Sequence, residues 1–234
     1  MQAIVLAGGR GRRLYPYTTV LPKPLMPIGD HPILEVILRQ LRRAGFDDVV
    51  ISTGYLHGLI QAYLEGSPGL DVPVRYSHEE EPLGTIAPLR LIDGLEETFL
   101  VMNGDILTDL DYRALFDYHR ERGALATIAT YRRDAVIDFG VLERDHENRI
   151  TGFREKPVYH FDVSMGIYVL EREVFRYIPE TGPFGFDDLM YALTGAHEAV
   201  CSYPFEGYWL DIGRPDDYER SIREFEEHRD RFLG

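Results

Sequence analysis

The 234-residue chain carries one cysteine, Cys201, so no internal disulfide can form and a bridge-stapled fold is excluded. No apolar run approaches the ~20 residues that a membrane-crossing helix needs. Basic residues are scarce: 25 Lys and Arg stand against 39 Asp and Glu, a formal net charge of −14. So acidic a chain repels nucleic acid and anionic membrane surfaces, which are bound through clustered cations, and neither is an expected partner. The opening Met1-Gln2-Ala3-Ile4-Val5-Leu6-Ala7 has no positively charged lead and meets glycine at once, so it reads as a buried strand rather than a secretory leader. A reducing cytoplasm is the expected compartment. The eight histidines show no metal-ligand spacing, and no Gly-x-Ser-x-Gly elbow is present, so neither a histidine metal centre nor a serine nucleophile is indicated.

What the chain has is a βαβ rhythm. Apolar runs at 3–7 and 48–52 flank an amphipathic stretch, 33–44, with Ile33, Val36, Ile37 and Leu41 at helical spacing and Gly45 as its stop. A second helix at about 58–65 leads to a strand at 72–76, and a buried strand at 98–102 closes on Asn103-Gly104-Asp105. A helix at about 111–122 follows, capped by Thr108 or Asp109 and stopped by Gly123. Beyond a strand at 125–131 the pattern changes to short strands at 140–143, 150–155 and 164–170, with little helix between them. The end of the chain, 216–234, is a charged helix with no linker before it. With 44% hydrophobic residues, the chain can bury one large core. The expected fold is α/β and Rossmann-like: a mostly parallel mixed sheet flanked by helices, with an added antiparallel part.

Two segments stand out chemically. Gly8-Gly9-Arg10-Gly11-Arg12-Arg13-Leu14 follows the first strand, where glycines let backbone N–H groups approach a phosphate closely. It is neither a Walker A loop nor the dinucleotide fingerprint, and by itself it is also compatible with a plain tight turn. Residues 10–23 hold Arg10, Arg12, Arg13 and Lys23 without one acidic residue, a local positive field in an acidic chain. Lys23 sits in Leu21-Pro22-Lys23-Pro24-Leu25, where two prolines stiffen the loop that presents it. A lysine suits a phosphate as a point charge, and a solvated loop lysine is the plainer reading.

These segments, continued by Pro32-Ile33-Leu34, Glu81-Pro82-Leu83-Gly84-Thr85, Asn103-Gly104-Asp105, Phe139-Gly140-Val141, Glu155-Lys156-Pro157, Gly166-Ile167-Tyr168 and Trp209-Leu210-Asp211-Ile212-Gly213, resemble the signature of the sugar-1-phosphate nucleotidyltransferases. The likeness runs in order from about residue 2 to 218. It implies that a nucleoside triphosphate and a sugar 1-phosphate give a nucleoside-diphosphate sugar and pyrophosphate, with Mg²⁺ as cofactor. Arg13 and Lys23 would hold the triphosphate, and Asp105 and Asp211 would ligate the metal, Asp105 also meeting the nucleotide. Leu6, Ala7, Gly8, Gly9, Gly11, Glu79 and Gly84 would surround the nucleotide. Lys156 would bind the sugar's phosphate, Glu155 its hydroxyls, and Gly140 and Ser164 would complete that site. The resemblance divides the chain into a nucleotide-binding half, about 1–123, a sugar-phosphate half, about 124–215, and the C-terminal helix.

Within the family the run at 79–85 is most similar to mannose-1-phosphate guanylyltransferases. Glu79 favours guanine because a carboxylate accepts from N1–H and N2–H₂ together, whereas uracil or thymine offers one N–H between two carbonyls. Two features depart from what the resemblance leads one to expect: Ile86 and Ala87 stand where the guanylyl enzymes continue Ala-Gly, and Ser164 stands where many relatives carry Asn. Uridylyl or thymidylyl transfer, and a heptose or cyclitol phosphate as acceptor, stay open. The C-terminal β-helix of longer relatives is missing, so acetyl transfer is not expected. A homo-oligomer is compatible with the sequence, which does not fix the assembly state. Of other classes, a dinucleotide-binding oxidoreductase needs an acidic residue about 20 positions beyond the glycines, where Pro22-Lys23-Pro24 stands instead. A non-catalytic nucleotide-sugar sensor would lack a metal ligand or phosphate-binding lysine, and Asp105, Asp211, Lys23 and Lys156 are all present.

Overall fold

The apolar run that opens the chain forms strand β1 (Gln2–Ala7), buried along almost its whole length. Burial on both faces is the mark of a strand in the middle of a helix-covered parallel sheet. The computed structural model describes residues 1–67, 70 and 72–233. After β1 come a small antiparallel pair, β2 (Pro27–Ile28) and β3 (His31–Pro32), then α1 (Ile33–Arg43), β4 (Asp48–Thr53), α2 (His57–Glu65) and β5 (Val74–His78). The middle of the chain gives β6 (Thr98–Asn103), β7 (Ile106–Thr108), α3 (Tyr112–Arg122), β8 (Ala126–Val136), β9 (Val141–Arg144), β10 (Ile150–Arg154) and β11 (Val158–Glu171). The remainder is α4 (Phe186–Gly195), β12 (Val200–Phe205), β13 (Trp209–Asp211), α5 (Pro215–Glu227) and α6 (Arg229–Leu233).

Seven strands share one sheet in the order β12-β8-β11-β6-β1-β4-β5. Only β11 runs against its neighbours, so the sheet is the mostly parallel mixed one expected. Period-two alternation splits the core: Ala3, Val5 and Ala7 face α1, α3 and the C-terminal helices, whereas Ile4 faces α4 and the turn at Ala87–Leu91. The parallel register, Ala7 against Thr53 and Leu6 against Asn103, brings the carboxyl ends of β1, β4 and β6 to one edge. Ligands of open α/β sheets bind outside that edge.

The structure corrects several expectations. The strands at 125–131 and 164–170 are parts of longer ones: β8 has 11 residues and β11 has 14, paired from Ala126↔Leu170 out to Val136↔Val158. Their outer halves are exposed and carry no buried face, so apolar patterning did not mark them. Helix α4 and strand β12 lie where little helix was expected. Strand β5 starts after Pro73, which has no N–H to give a ladder. The C-terminal segment is two helices, because His228 leaves helical geometry at φ −131° and ψ 36°, which lets Phe232 stack on Phe225 at 5.9 Å. Gly234 lies outside the described residues.

The cap of α3 also differs from expectation. Thr108 is the last residue of β7 and its hydroxyl donates to the Tyr208 carbonyl, while Asp109 accepts from Tyr208 N and pairs with Arg231. Asp111 caps instead, its Oδ1 accepting from Ala114 N at 3.0 Å, and Gly123 ends the helix with φ 58°. Asp111→Ala should therefore cost ~1 kcal/mol in denaturant unfolding with an unchanged slope. No change in the midpoint would mean that the helix end is satisfied without it.

Candidate active site

The loops that follow β1, β5 and β6, with Ser52 near the end of β4, enclose a cavity of about 730 Å³. Every residue expected to meet the nucleotide lines it. The backbone from Leu6 to Gly9, with Gly11, forms one wall; Arg13, Lys23 and Asp105 stand on it together, and Glu79 and Gly84 supply the facing wall.

At the charged end, the short antiparallel pairing of β13 with β7 sets Asp211 beside Ile106, and Ile212 N donates to the Asp105 carbonyl at 3.0 Å. Two carboxylates far apart in sequence are thus joined by a backbone ladder. Lys23 starts a tight turn between its prolines, with Leu25 N bonded to the Pro22 carbonyl at 2.8 Å. Its ammonium is ion-paired with Asp105 and lies 3.8 Å from Asp211 Oδ1. Burial pushes the Asp105 carboxyl above the usual range; Lys23 opposes that rise and Asp211 adds to it. Arg13 packs against Gly213, where a Cβ would come within 2.9 Å of the guanidinium and 3.3 Å of Asp211 Oδ1.

The Oδ1 atoms of Asp105 and Asp211 are both buried with no hydrogen-bond partner among the described residues. Orphaned carboxylate oxygens are costly unless something cationic meets them. No group of three or more His, Cys, Asp or Glu gathers in a metal-binding arrangement among the described residues. A pair of carboxylates alone suits a small, hard cation that takes its other ligands from phosphate and water, so these residues fit magnesium.

At the other end Glu79 is buried, with 8% of its surface exposed. Its N–H donates to the Thr53 carbonyl at 2.9 Å, and Oε2 accepts from Leu83 N at 3.0 Å, fastening the loop that follows. Oε1 lies over Gly8 and Gly54, and a Cβ on Gly8 would collide with it. Burial raises the Glu79 carboxyl above its ordinary value, against the bond from Leu83 and the nearby His78. Gly84 has φ 94°, and a Cβ there would meet the Phe184 carbonyl oxygen at 2.6 Å, so only glycine fits. Around it Phe184 N bonds to the Leu83 carbonyl, Ile86 N to the Phe184 carbonyl, and Phe186 N to Thr85 Oγ1.

The expected sugar-phosphate residues line no part of this cavity. Gly140 immediately precedes β9 and touches Glu155, with its notional Cβ 3.3 Å from Oε2. Glu155 and Lys156 form the exposed turn between β10 and β11, and Lys156 adopts φ 41°, which L residues rarely do. Ser164 lies apart from them on β11, where its hydroxyl accepts from Gly166 N at 3.2 Å beside an irregularity in the β8 pairing.

The nucleotidyl transferase profile matches residues 2–228. This chain belongs to the nucleotidyl transferase family. It is 33% identical to a UTP–glucose-1-phosphate uridylyltransferase of Synechocystis sp., with 95% of this chain and 63% of that protein covered. It is equally, 33%, identical to a mannose-1-phosphate guanyltransferase of Candida albicans, with 93% and 62% covered. The chain therefore spans less than two thirds of the length of these relatives. A solved structure described as a putative glucose-1-phosphate thymidylyltransferase from Bacillus anthracis, in complex with a sucrose, is similar at a TM-score of 0.73 and 26% identity, over 95% of this chain and 94% of that one.

Three residues beside the site escaped the sequence reading. Gly54 makes room for Glu79, Gly213 makes room for Arg13, and Asn103 packs its amide on Gly166. The first had no signal beyond a glycine after a strand, whereas Gly213 and Asn103 stood inside motifs already noticed. Ile86 and Ala87, the residues that depart from the guanylyl pattern, are buried among core residues such as Leu89, and only Thr85 and Pro88 of that stretch reach the cavity. Glu79 also yields a pH test. Its folded-state pKa is raised, so its contribution to stability is fully present below the unfolded value of about 4.3 and is lost as pH rises through the folded value. Glu79→Gln should melt higher than the wild type at about pH 8 and lose that advantage by about pH 4. A melting difference independent of pH would show that the carboxyl is not perturbed by burial.

Proposed function

We propose that this chain is a magnesium-dependent sugar-1-phosphate nucleotidyltransferase. One observation carries the reading: a glycine-walled cavity joins a cluster of Arg13, Lys23, Asp105 and Asp211 at one end to a buried acceptor, Glu79, at the other. That is the layout needed to hold a nucleotide by its phosphates and its base. The names of the relatives point to the same class of reaction. Residues at about 1–123 would bind the nucleotide, and those at about 124–215, through Gly140, Glu155, Lys156 and Ser164, the sugar phosphate, with 216–234 completing the chain.

In the reaction an oxygen of the sugar phosphate attacks the α-phosphorus in line. The bond from that phosphorus to the oxygen bridging it to the β-phosphate breaks, and pyrophosphate leaves with the electron pair. The attacking phosphate is anionic at neutral pH, so no side chain has to take a proton. The barrier to be lowered is repulsion between two anions. At ~4 Å and an effective dielectric of ~20, each opposite charge contributes on the order of 4 kcal/mol, which is the work assigned to Arg13, Lys23 and Lys156. Magnesium, held by Asp105 and Asp211, would supply further neutralisation of phosphate charge. The sugar half then serves to place the nucleophile.

GTP is the proposed donor, because Glu79 brings a buried carboxylate to the cavity wall apart from the Asp105–Lys23 pair, and its Oε1 is not spent on the Leu83 bond. A mannose-1-phosphate-like hexose phosphate is the proposed acceptor. Ser164, shorter than the Asn of many relatives and already bonded to Gly166 N, leaves a heptose or cyclitol phosphate as the second reading.

Asp105→Asn and Asp211→Asn should each lower kcat by ~10² or more with the fold intact by circular dichroism. Full turnover by either variant at saturating Mg²⁺ would remove that residue from the metal site. Glu79→Gln should reduce kcat/KM for GTP by roughly ten- to a hundredfold, since two guanine donors lose their acceptor, and reduce it less for UTP or dTTP. An equal fall for every donor would mean that Glu79 does not read the base.

A further inference from the structure

We infer that Lys23 is a built-in counter-ion for the Asp105–Asp211 pair, which keeps divalent cations off these carboxylates until its ammonium is drawn to another anion. The inference rests on the metal assignment made above and adds to it the order of events: the cation site is closed in the nucleotide-free chain.

Three observations carry it. The Lys23 ammonium is ion-paired with Asp105 and 3.8 Å from Asp211 Oδ1, so one charge serves both carboxylates. Each carboxylate keeps one buried oxygen with no hydrogen-bond partner among the described residues, so a single ammonium leaves the pair under-compensated. The Lys23 side chain is 12% exposed, which keeps water from taking over the ammonium's role.

The surrounding backbone makes the ammonium the main moving part. Pro22 and Pro24 flank Lys23, and the turn is closed by Leu25 N to the Pro22 carbonyl and Met26 N to the Lys23 carbonyl. A long, rotatable stem with three donors at its tip can change partners while its Cα stays fixed. Asp105 and Asp211 have short side chains on backbones fixed by the β7–β13 ladder and by the Ile212 N bond to the Asp105 carbonyl, so their carboxylates travel far less. The same cavity holds Lys23 and the glycine loop, so a triphosphate on that loop would offer the ammonium a stronger anion than a carboxylate already shared. Departure of the ammonium leaves two negative charges together with four oxygens. A divalent cation is what such a pair then attracts.

The test measures Mn²⁺ binding to the nucleotide-free chain, by loss of the free-ion electron paramagnetic resonance signal. Lys23→Met removes the charge and keeps the bulk; it should bind Mn²⁺ at least ~10-fold more tightly than the wild type. Lys23→Gln, which keeps a hydrogen-bond donor for the carboxylates should the Met variant fold poorly, should show the same direction of change. Lys23→Arg, which restores a cation, should bind as weakly as the wild type. Adding Asp105→Asn to Lys23→Met should abolish the gain. Equal Mn²⁺ affinity in the wild type and a folded neutral variant would overturn the counter-ion role. If affinities are equal while Asp105→Asn abolishes turnover, the counter-ion role falls and the enzymatic reading stands. If the neutral variants gain Mn²⁺ and no substrate pair turns over in the wild type, the reverse holds.

Discussion

Asp105, Asp211 and Lys23 form the cluster on which the rest of the structure depends, because two carboxylates that repel one another are held against a single ammonium. Burial of Asp105 and Lys23 sharpens both the repulsion and the attraction, while the Asp211 side chain stays partly open to water. The fold spends its regular structure on keeping them there. Strand β6 delivers Asp105 to the carboxyl edge of the sheet, the β7–β13 ladder fixes Asp211 beside it, and the proline-framed turn presents Lys23. Arg13 is then placed by the absence of a side chain at Gly213.

The second constraint is close approach. Glu79 reaches the cavity only because Gly8 and Gly54 have no Cβ, and it repays that room by tying Leu83 down. The loop it holds is clasped from the other side by the segment leading into α4, through Phe184 and Phe186. So the cavity wall at Glu79 and Gly84 is built from two distant parts of the chain, and its shape depends on helix α4, which packs Leu189 and Leu193 beneath it. The shape of the cavity around Glu79 and the packing of one face of the sheet are therefore coupled.

Much of this was legible in the sequence where a physical signal was local. Apolar runs ending in glycine gave β1, β4 and β6, because a strand buried on both faces has no polar alternation to confuse it. Helix α1 showed its period and its stop within a residue. The charged residues at 10–23 marked one wall of the cavity, which Arg10, Arg12, Arg13 and Lys23 line. What stayed hidden depends on partners far away in sequence. The outer halves of β8 and β11 are stabilised by pairing with each other rather than by a buried face. The true cap of α3 could not be told from Thr108 and Asp109 without knowing that both are taken by Tyr208. Ile86 and Ala87 stood out as departures from the guanylyl pattern and proved to be core, because only the backbone decides to which side they point. The sugar-phosphate residues rested on family motifs alone, and the structure gathers Gly140 and Glu155 while leaving Ser164 elsewhere on β11.

The most direct test of the account is pyrophosphate release measured for GTP, UTP, dTTP and ATP against mannose, glucose and heptose 1-phosphates, each with Mg²⁺ and with the metal chelated. The account predicts release with at least one pair, highest with GTP and a mannose-1-phosphate-like acceptor, one pyrophosphate for each nucleoside-diphosphate sugar formed, and none under chelation. Absence of release from every pair, by folded protein that still binds a nucleoside triphosphate, would contradict it and leave a nucleotide-binding protein without transfer activity.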